Sequence, residues 1–101
     1  LYPDVWGFSD AAGDGERWIV DHVNIADQIG KPFVLGEFGN VDRSVYADWL
    51  QVIEDHDVAG ALMWQIVPAS RGRENDMTIV YPDDTELVEL FTNHAAVMNA
   101  K

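Results

Sequence analysis

The chain has 101 residues, enough for one domain or part of one. It is 48% hydrophobic with four Trp, which excludes a disordered tail, and its net charge of −12 repels phosphate backbones and so excludes a nucleic-acid partner. Cysteine is absent, which rules out disulfides and thiolate metal sites, and no run of about 20 apolar residues marks a membrane helix.

The first stretch, Leu1–Gly15, carries Pro3, Gly7, Gly13 and Gly15 and reads as a long loop. Asp14 is the expected cap of a helix beginning near Glu16. In that helix Trp18, His22, Ile25 and Ile29 recur at helical spacing, with Ile19, Val23 and Ala26 beside them. Gly30 suits the position after the helix end, and Pro32 prevents continuation. Phe33–Phe38 is a short apolar run closed by Gly39 and Asn40, the pattern of a buried parallel strand. A second helix is expected from about Ser44 to His56, with Val45, Trp49, Val52, Ile53 and His56 as its stripe. The apolar run Ala59–Ile66 predicts a second strand, and Val67–Asp83 predicts a polar loop. The last helix is expected over Thr85–Ala100, with Leu87, Phe91, His94 and Met98 on one face.

Helices alternating with strands imply βαβ units and a parallel α/β sheet. The crossover from Phe38 to Ala59 can hold one helix, so the two strands are expected to be parallel neighbours. Side chains alternate along a strand, which puts Phe33, Leu35 and Glu37 on one face and Val34, Gly36 and Phe38 on the other. Gly36 is expected to let a helix approach. Glu37 is the lone ionisable residue of its strand and lies at the carboxyl end, where parallel α/β folds carry their reactive groups. Gly60, Leu62, Trp64 and Ile66 share a face of the second strand, and Trp64 falls near its carboxyl end. Parallel neighbours lie about 4.8 Å apart, so Glu37 and Trp64 are expected to open onto one cleft. A carboxylate beside an indole suits a sugar: the first can attack an oxocarbenium-like centre, the second can stack on a pyranose face. Leu1-Tyr2-Pro3 reads as the end of a third strand, with Tyr2 placed to donate a hydrogen bond to Glu37. The bland alternative for Glu37 is an ion pair with Arg43 or Arg71, and for Trp64 it is core packing. Trp6 and Phe8 either line a further subsite or seal their loop onto the fold. Trp18 and Trp49 fit helix faces as core residues. His22, His56 and His94 fall on different helices without ligand spacing and read as packed or capping residues; no metal is expected. Arg71, Arg73, Glu74, Asn75 and Asp76 read as a solvated loop within reach of a bound sugar.

Three segments carry a family resemblance. Gly30-Lys-Pro-Phe-Val-Leu-Gly-Glu-Phe-Gly39 resembles the nucleophile strand, the seventh, of the family-five (clan A) retaining glycoside hydrolases. Ala61-Leu-Met-Trp-Gln65 resembles their eighth strand, and Leu1-Tyr2-Pro3 the end of their sixth. Tyr81-Pro82-Asp83-Asp84 resembles the segment before the last helix in the endo-β-1,4-mannanase branch. The resemblance implies that residues 1–101 are the C-terminal third of a (β/α)8 barrel, a fold of about 250 residues. It implies Glu37 as catalytic nucleophile, Tyr2 as the residue that orients it, and Trp64 as floor of the subsite for the reacting sugar, with Trp6 a candidate for a further one. It implies a secreted enzyme that cleaves internal β-1,4 bonds of mannan by double displacement without a cofactor. The family's acid/base, the Glu of an Asn-Glu motif on the fourth strand, has no counterpart here and is expected in the remainder of the barrel. An endo-β-1,4-glucanase of the same clan shares these parts, and a non-catalytic half-barrel or sugar-binding remnant is the reading from another class. With Lys only at Lys31 and Lys101, the acidity fits either an ordinary acidic secreted enzyme or a protein adapted to high salt.

Overall fold

A computed structural model describes residues 1–101. The elements in chain order are α1 (Pro3–Trp6), α2 (Ala11–Gln28), β1 (Phe33–Phe38), α3 (Arg43–Asp55), β2 (Val58–Met63), β3 (Ile66–Pro68), β4 (Ile79–Tyr81) and α4 (Thr85–Asn99). β1 and β2 pair in parallel, as the long crossover requires, and β3 and β4 form a second parallel pair. Leu1 extends the first sheet on the other side of β1. Its nitrogen donates to the Glu37 carbonyl at 2.6 Å, and its carbonyl accepts from the Gly39 N–H at 3.4 Å. Bonding to the residues on both sides of Phe38 is the parallel ladder pattern.

The helices pack on one face of this sheet. Their shared core holds Leu1, Ile19, Val23, Leu35, Phe38, Tyr46, Trp49, Leu50, Ile53 and Val58. Trp49 is its centre: fully buried, it donates from Nε1 to the Ala11 and Ala12 carbonyls at 3.2 and 3.3 Å. Phe38 meets Tyr46, Trp49 and Phe91 at ring separations of 6.1, 6.4 and 6.2 Å, so the end of β1 is clamped under α3 and α4. The Lys101 ammonium binds the Ile53 and His56 carbonyls, where the end of α3 leaves acceptors free. On the opposite face Val34 and Leu62 are 52% and 63% exposed.

Several expectations change. α2 begins at Ala11, not near Glu16, and its cap is Asp10, whose carboxylate accepts from the Gly13 N–H at 3.1 Å; Asp14 lies in the first turn. Gly15 lies inside the helix with the Trp49 indole against it: a Cβ there would sit 2.3 Å from Nε1. Gly36, by contrast, faces open space and admits no helix. Strict alternation fails in β1, since Leu35 pairs with Ala61 and Phe38 with Met63, three steps against two. This bulge turns both Leu35 and Phe38 to the helices and leaves Glu37 exposed, so Glu37 does not share the face of Leu35. The stripe of α3 is Tyr46, Trp49, Leu50 and Ile53. β2 stops at Met63, so Ile66 is not on the strand that leads to Trp64, and the expected loop Val67–Asp83 contains most of β3 and all of β4. Gly30 takes φ +66° after α2, and α4 keeps the expected start at Thr85.

Candidate active site

The site lies where Leu1, β1 and β2 end side by side. The bulge in β1 puts the Glu37 side chain at the rim. From the neighbouring segment the Tyr2 hydroxyl donates to Glu37 Oε1 at 2.5 Å. Burial first, and the bond to Glu37 second, raise the Tyr2 phenol well above its ordinary value. Tyr2 therefore remains a protonated donor throughout the neutral range. Neither arginine considered as a partner reaches Glu37: Arg43 pairs with Glu86, and Arg71 with Glu74.

Trp64 enters from the other side. Its N–H donates to the Phe38 carbonyl at 2.9 Å, which carries the β1–β2 pairing one residue past Met63. Gly39 permits this approach, since a Cβ there would lie 2.4 Å from the Trp64 carbonyl oxygen. The Trp64 residue is 47% exposed, so it is not a core tryptophan. Tyr2, Glu37 and Trp64 line one cleft of about 250 Å³ together with Asp4, Val5, Asn40 and Met77. The cleft thus has a polar wall carrying Glu37 and an apolar one carrying Trp64, an arrangement that suits a pyranose ring.

The segment after Trp64 is fixed through Gln65. Gln65 N–H donates to the Met77 carbonyl at 3.2 Å, and Ile79 N–H to the Gln65 carbonyl at 2.8 Å. The buried Thr78 hydroxyl lies 3.4 Å from Gln65 Nε2 and 3.3 Å from Asn75 Oδ1. Arg73 binds the Thr78 carbonyl and grips both oxygens of Asp84 at 3.0 and 2.9 Å. The Val80 N–H, 2.7 Å from Asp84 Oδ2, is the main cause of the lowered Asp84 pKa; burial opposes it and Arg73 adds to it. The stretch read as a solvated loop is therefore tied down at several points.

No protein-family model matches the chain. It is 34% identical over its whole length to the mannan endo-1,4-beta-mannosidase A of Aspergillus aculeatus, covering 28% of that protein. The solved endo-beta-1,4-mannanase from Thermotoga petrophila is 34% identical and matches 98% of the chain at a TM-score of 0.85, over 25% of its own length. By sequence and by fold, the chain is a relative of the endo-β-1,4-mannanases. The Rhizomucor miehei endo-1,4-beta-mannanase extends the match to 100% of the chain, at 28% identity and TM-score 0.85, over 29% of its own length. The chain thus spans little more than a quarter of the mannanases it matches.

Within this mannanase relative, three of the four residues singled out by sequence, Tyr2, Glu37 and Trp64, meet in one cleft. Trp6 does not join them. Its ring packs on Trp18 at 5.4 Å and on Phe8 at 5.8 Å, and it lines no part of the Glu37 cleft. The turn at Gly7, φ +73°, folds Phe8 back beside Trp6, which stays 45% exposed. The histidines are packing and tethering groups: His22 Nδ1 lies 2.6 Å from the Trp18 carbonyl, His56 Nδ1 2.8 Å from the Val52 carbonyl, and His94 Nδ1 2.8 Å from Glu54 Oε1. Asp4, Val5, Asn40 and Met77 had no sequence signal as cleft residues. The one available hint was that Asp4 follows the Tyr2-Pro3 strand end and Asn40 follows the Glu37 strand.

Proposed function

We propose that the chain is the C-terminal portion of the (β/α)8 catalytic domain of a retaining, secreted endo-β-1,4-mannanase. Residues 1–101 then comprise the end of strand six, helix six, strand seven, helix seven, strand eight and helix eight, and the exposed face bearing Val34 and Leu62 is barrel interior. The observation that carries this reading is the hydrogen bond from Tyr2 to Glu37 in a cleft shared with Trp64, at the carboxyl ends of parallel neighbours. The mannanase relatives supply the substrate class.

In this reading Glu37 attacks the anomeric carbon and forms a glycosyl-enzyme ester. Tyr2 keeps one carboxylate oxygen engaged and leaves the other for bond formation. The Trp64 indole supports the apolar face of the reacting mannosyl unit. A second carboxyl group, roughly 5–5.5 Å from the first, protonates the leaving oxygen and then activates water. The other carboxyl of the cleft, Asp4, is engaged by Asn40, and the acid/base group is assigned to the remainder of the barrel.

The test uses the complete enzyme that carries this chain. It should release reducing ends from β-mannan and leave carboxymethylcellulose intact. Glu37→Gln should lower turnover by about three orders of magnitude or more, since it removes the nucleophile. Near-normal activity in Glu37→Gln rejects the nucleophile assignment, and turnover of the cellulose derivative alone rejects the mannan assignment.

A further inference from the structure

A second, larger cavity of about 500 Å³ adjoins the cleft, and both are lined by Asp4 and Asn40. Asn40 Nδ2 donates to Asp4 Oδ2 at 2.9 Å, which joins the turn after Tyr2 to the segment after Glu37. Asn40 holds φ +56°, a left-handed conformation that Asn tolerates better than most residues. The pair is thus a constrained ridge between the two cavities. The bond between the two side chains uses one N–H of the Asn40 amide and one oxygen of Asp4. Asp4 Oδ1 and Asn40 Oδ1 have no donor within the chain, and neither has Glu37 Oε2.

The charge around this ridge has one sign. Asp4 and Glu37 line the cleft, and Asp4, Asp42 and Asp76 line the outer cavity; no Lys, Arg or His lines either. The free acceptors of Asp4, Asn40 and Glu37 match sugar hydroxyls, which donate. The negative charge of the same wall repels a carboxylate, sulfate or phosphate on a sugar.

Taking Glu37 as the reacting carboxylate in the manner proposed above, we infer that Asp4, held by Asn40, is a specificity-determining residue of the cleft. It accepts hydroxyl hydrogen bonds from the sugar unit next to the one at Glu37 and confines the substrate to neutral polysaccharide. Asp4 takes no part in bond cleavage.

The experiment compares kcat/KM on glucomannan with kcat/KM on the same polymer bearing carboxymethyl groups, in the complete enzyme at low ionic strength. Wild type should prefer the neutral polymer. Asp4→Asn, which keeps an acceptor for Asn40 but removes the charge, should narrow the preference about tenfold, with the KM terms carrying the change. Molar salt should shrink the difference between the two enzymes, because it screens the same charge. Asp4→Ser removes the same charge, keeps a hydroxyl acceptor and should narrow the preference likewise, so the inference can still be tested if one variant folds poorly. An unchanged preference in either soluble variant overturns the inference, as does an equal fall on both polymers in Asp4→Asn, the mark of a structural role. Glu37→Gln, assayed in parallel, separates the two readings: its full activity would discredit the nucleophile assignment and leave the preference ratio to be judged by itself.

Discussion

Leu35 and Leu62 sit on paired strands of the same sheet, yet one is 2% and the other 63% exposed. The first belongs to the core under the helices, with Ile19, Val23, Trp49, Leu50 and Ile53. The second faces away, beside the equally uncovered Val34 and next to a rim that holds a carboxylate, a phenol and an indole. The buried core of this chain thus lies on the helix side. The opposite side is a surface whose apolar residues bury nothing, and free energy from burial scales with the area removed from water. Stability belongs to one side of the sheet, and the proposed chemistry to its end and its other side.

The sharpest way to break this contrast is at Trp49. Trp49→Ala removes the centre of the helix-side core and should cost about 3–5 kcal/mol, enough to unfold most of a small chain. Urea denaturation followed by circular dichroism checks it, and a loss below 1 kcal/mol would mean that the core is not centred there. Next is the matched pair itself. Leu35→Ala should cost about 2–5 kcal/mol and Leu62→Ala no more than about 0.5 kcal/mol in this chain. Equal losses would mean that both faces are covered in solution.

These two leucines also show what the sequence could and could not convey. The apolar run Phe33–Phe38 between Pro32 and Gly39 marked its strand at both ends, and Gly30 marked the turn before it. Period-two alternation then placed Leu35 and Glu37 on one face. The bulge overrode it, because only an extra residue in β1 lets Leu35 and Phe38 both reach the helices. Gly13 and Gly15 read as loop because glycine weakens an isolated helix. What requires glycine at position 15 is the Trp49 indole, 34 positions away in sequence and in contact in space. Glu37, Trp64 and Tyr2 were legible because each stands at a strand end in a distinctive motif. Asp4, Asn40 and Met77 were not, since they reach the cleft through turns and loops that carry no periodic signal.

Two smaller effects sharpen the contrast between stability and chemistry. Tyr2→Phe deletes one hydrogen bond to a carboxylate, worth about 1.5–3 kcal/mol, and should lower kcat of the complete enzyme by about ten- to a hundredfold. Its urea midpoint should barely move, because the hydroxyl serves Glu37 and not the core; a large stability loss with normal kcat would contradict that. The smallest effect concerns Asp84, whose carboxyl the Val80 N–H and Arg73 hold below its ordinary value. A lowered folded-state pKa gives stability that is present above the unfolded value and is lost as pH falls through the folded one. The native chain should therefore weaken below about pH 4. Asp84→Asn should remove part of that slope, as read from urea midpoints between about pH 2 and 6. Identical slopes in both proteins would exclude Asp84 as a source of the acid sensitivity.

The central claim is that position 37 supplies the nucleophile, and covalent trapping tests it most directly. A 2-deoxy-2-fluoro-mannosyl fluoride should inactivate the complete enzyme slowly and leave one mannosyl-derived mass on the peptide containing Glu37. An adduct on any other carboxylate, or steady turnover with no adduct at all, would contradict the account.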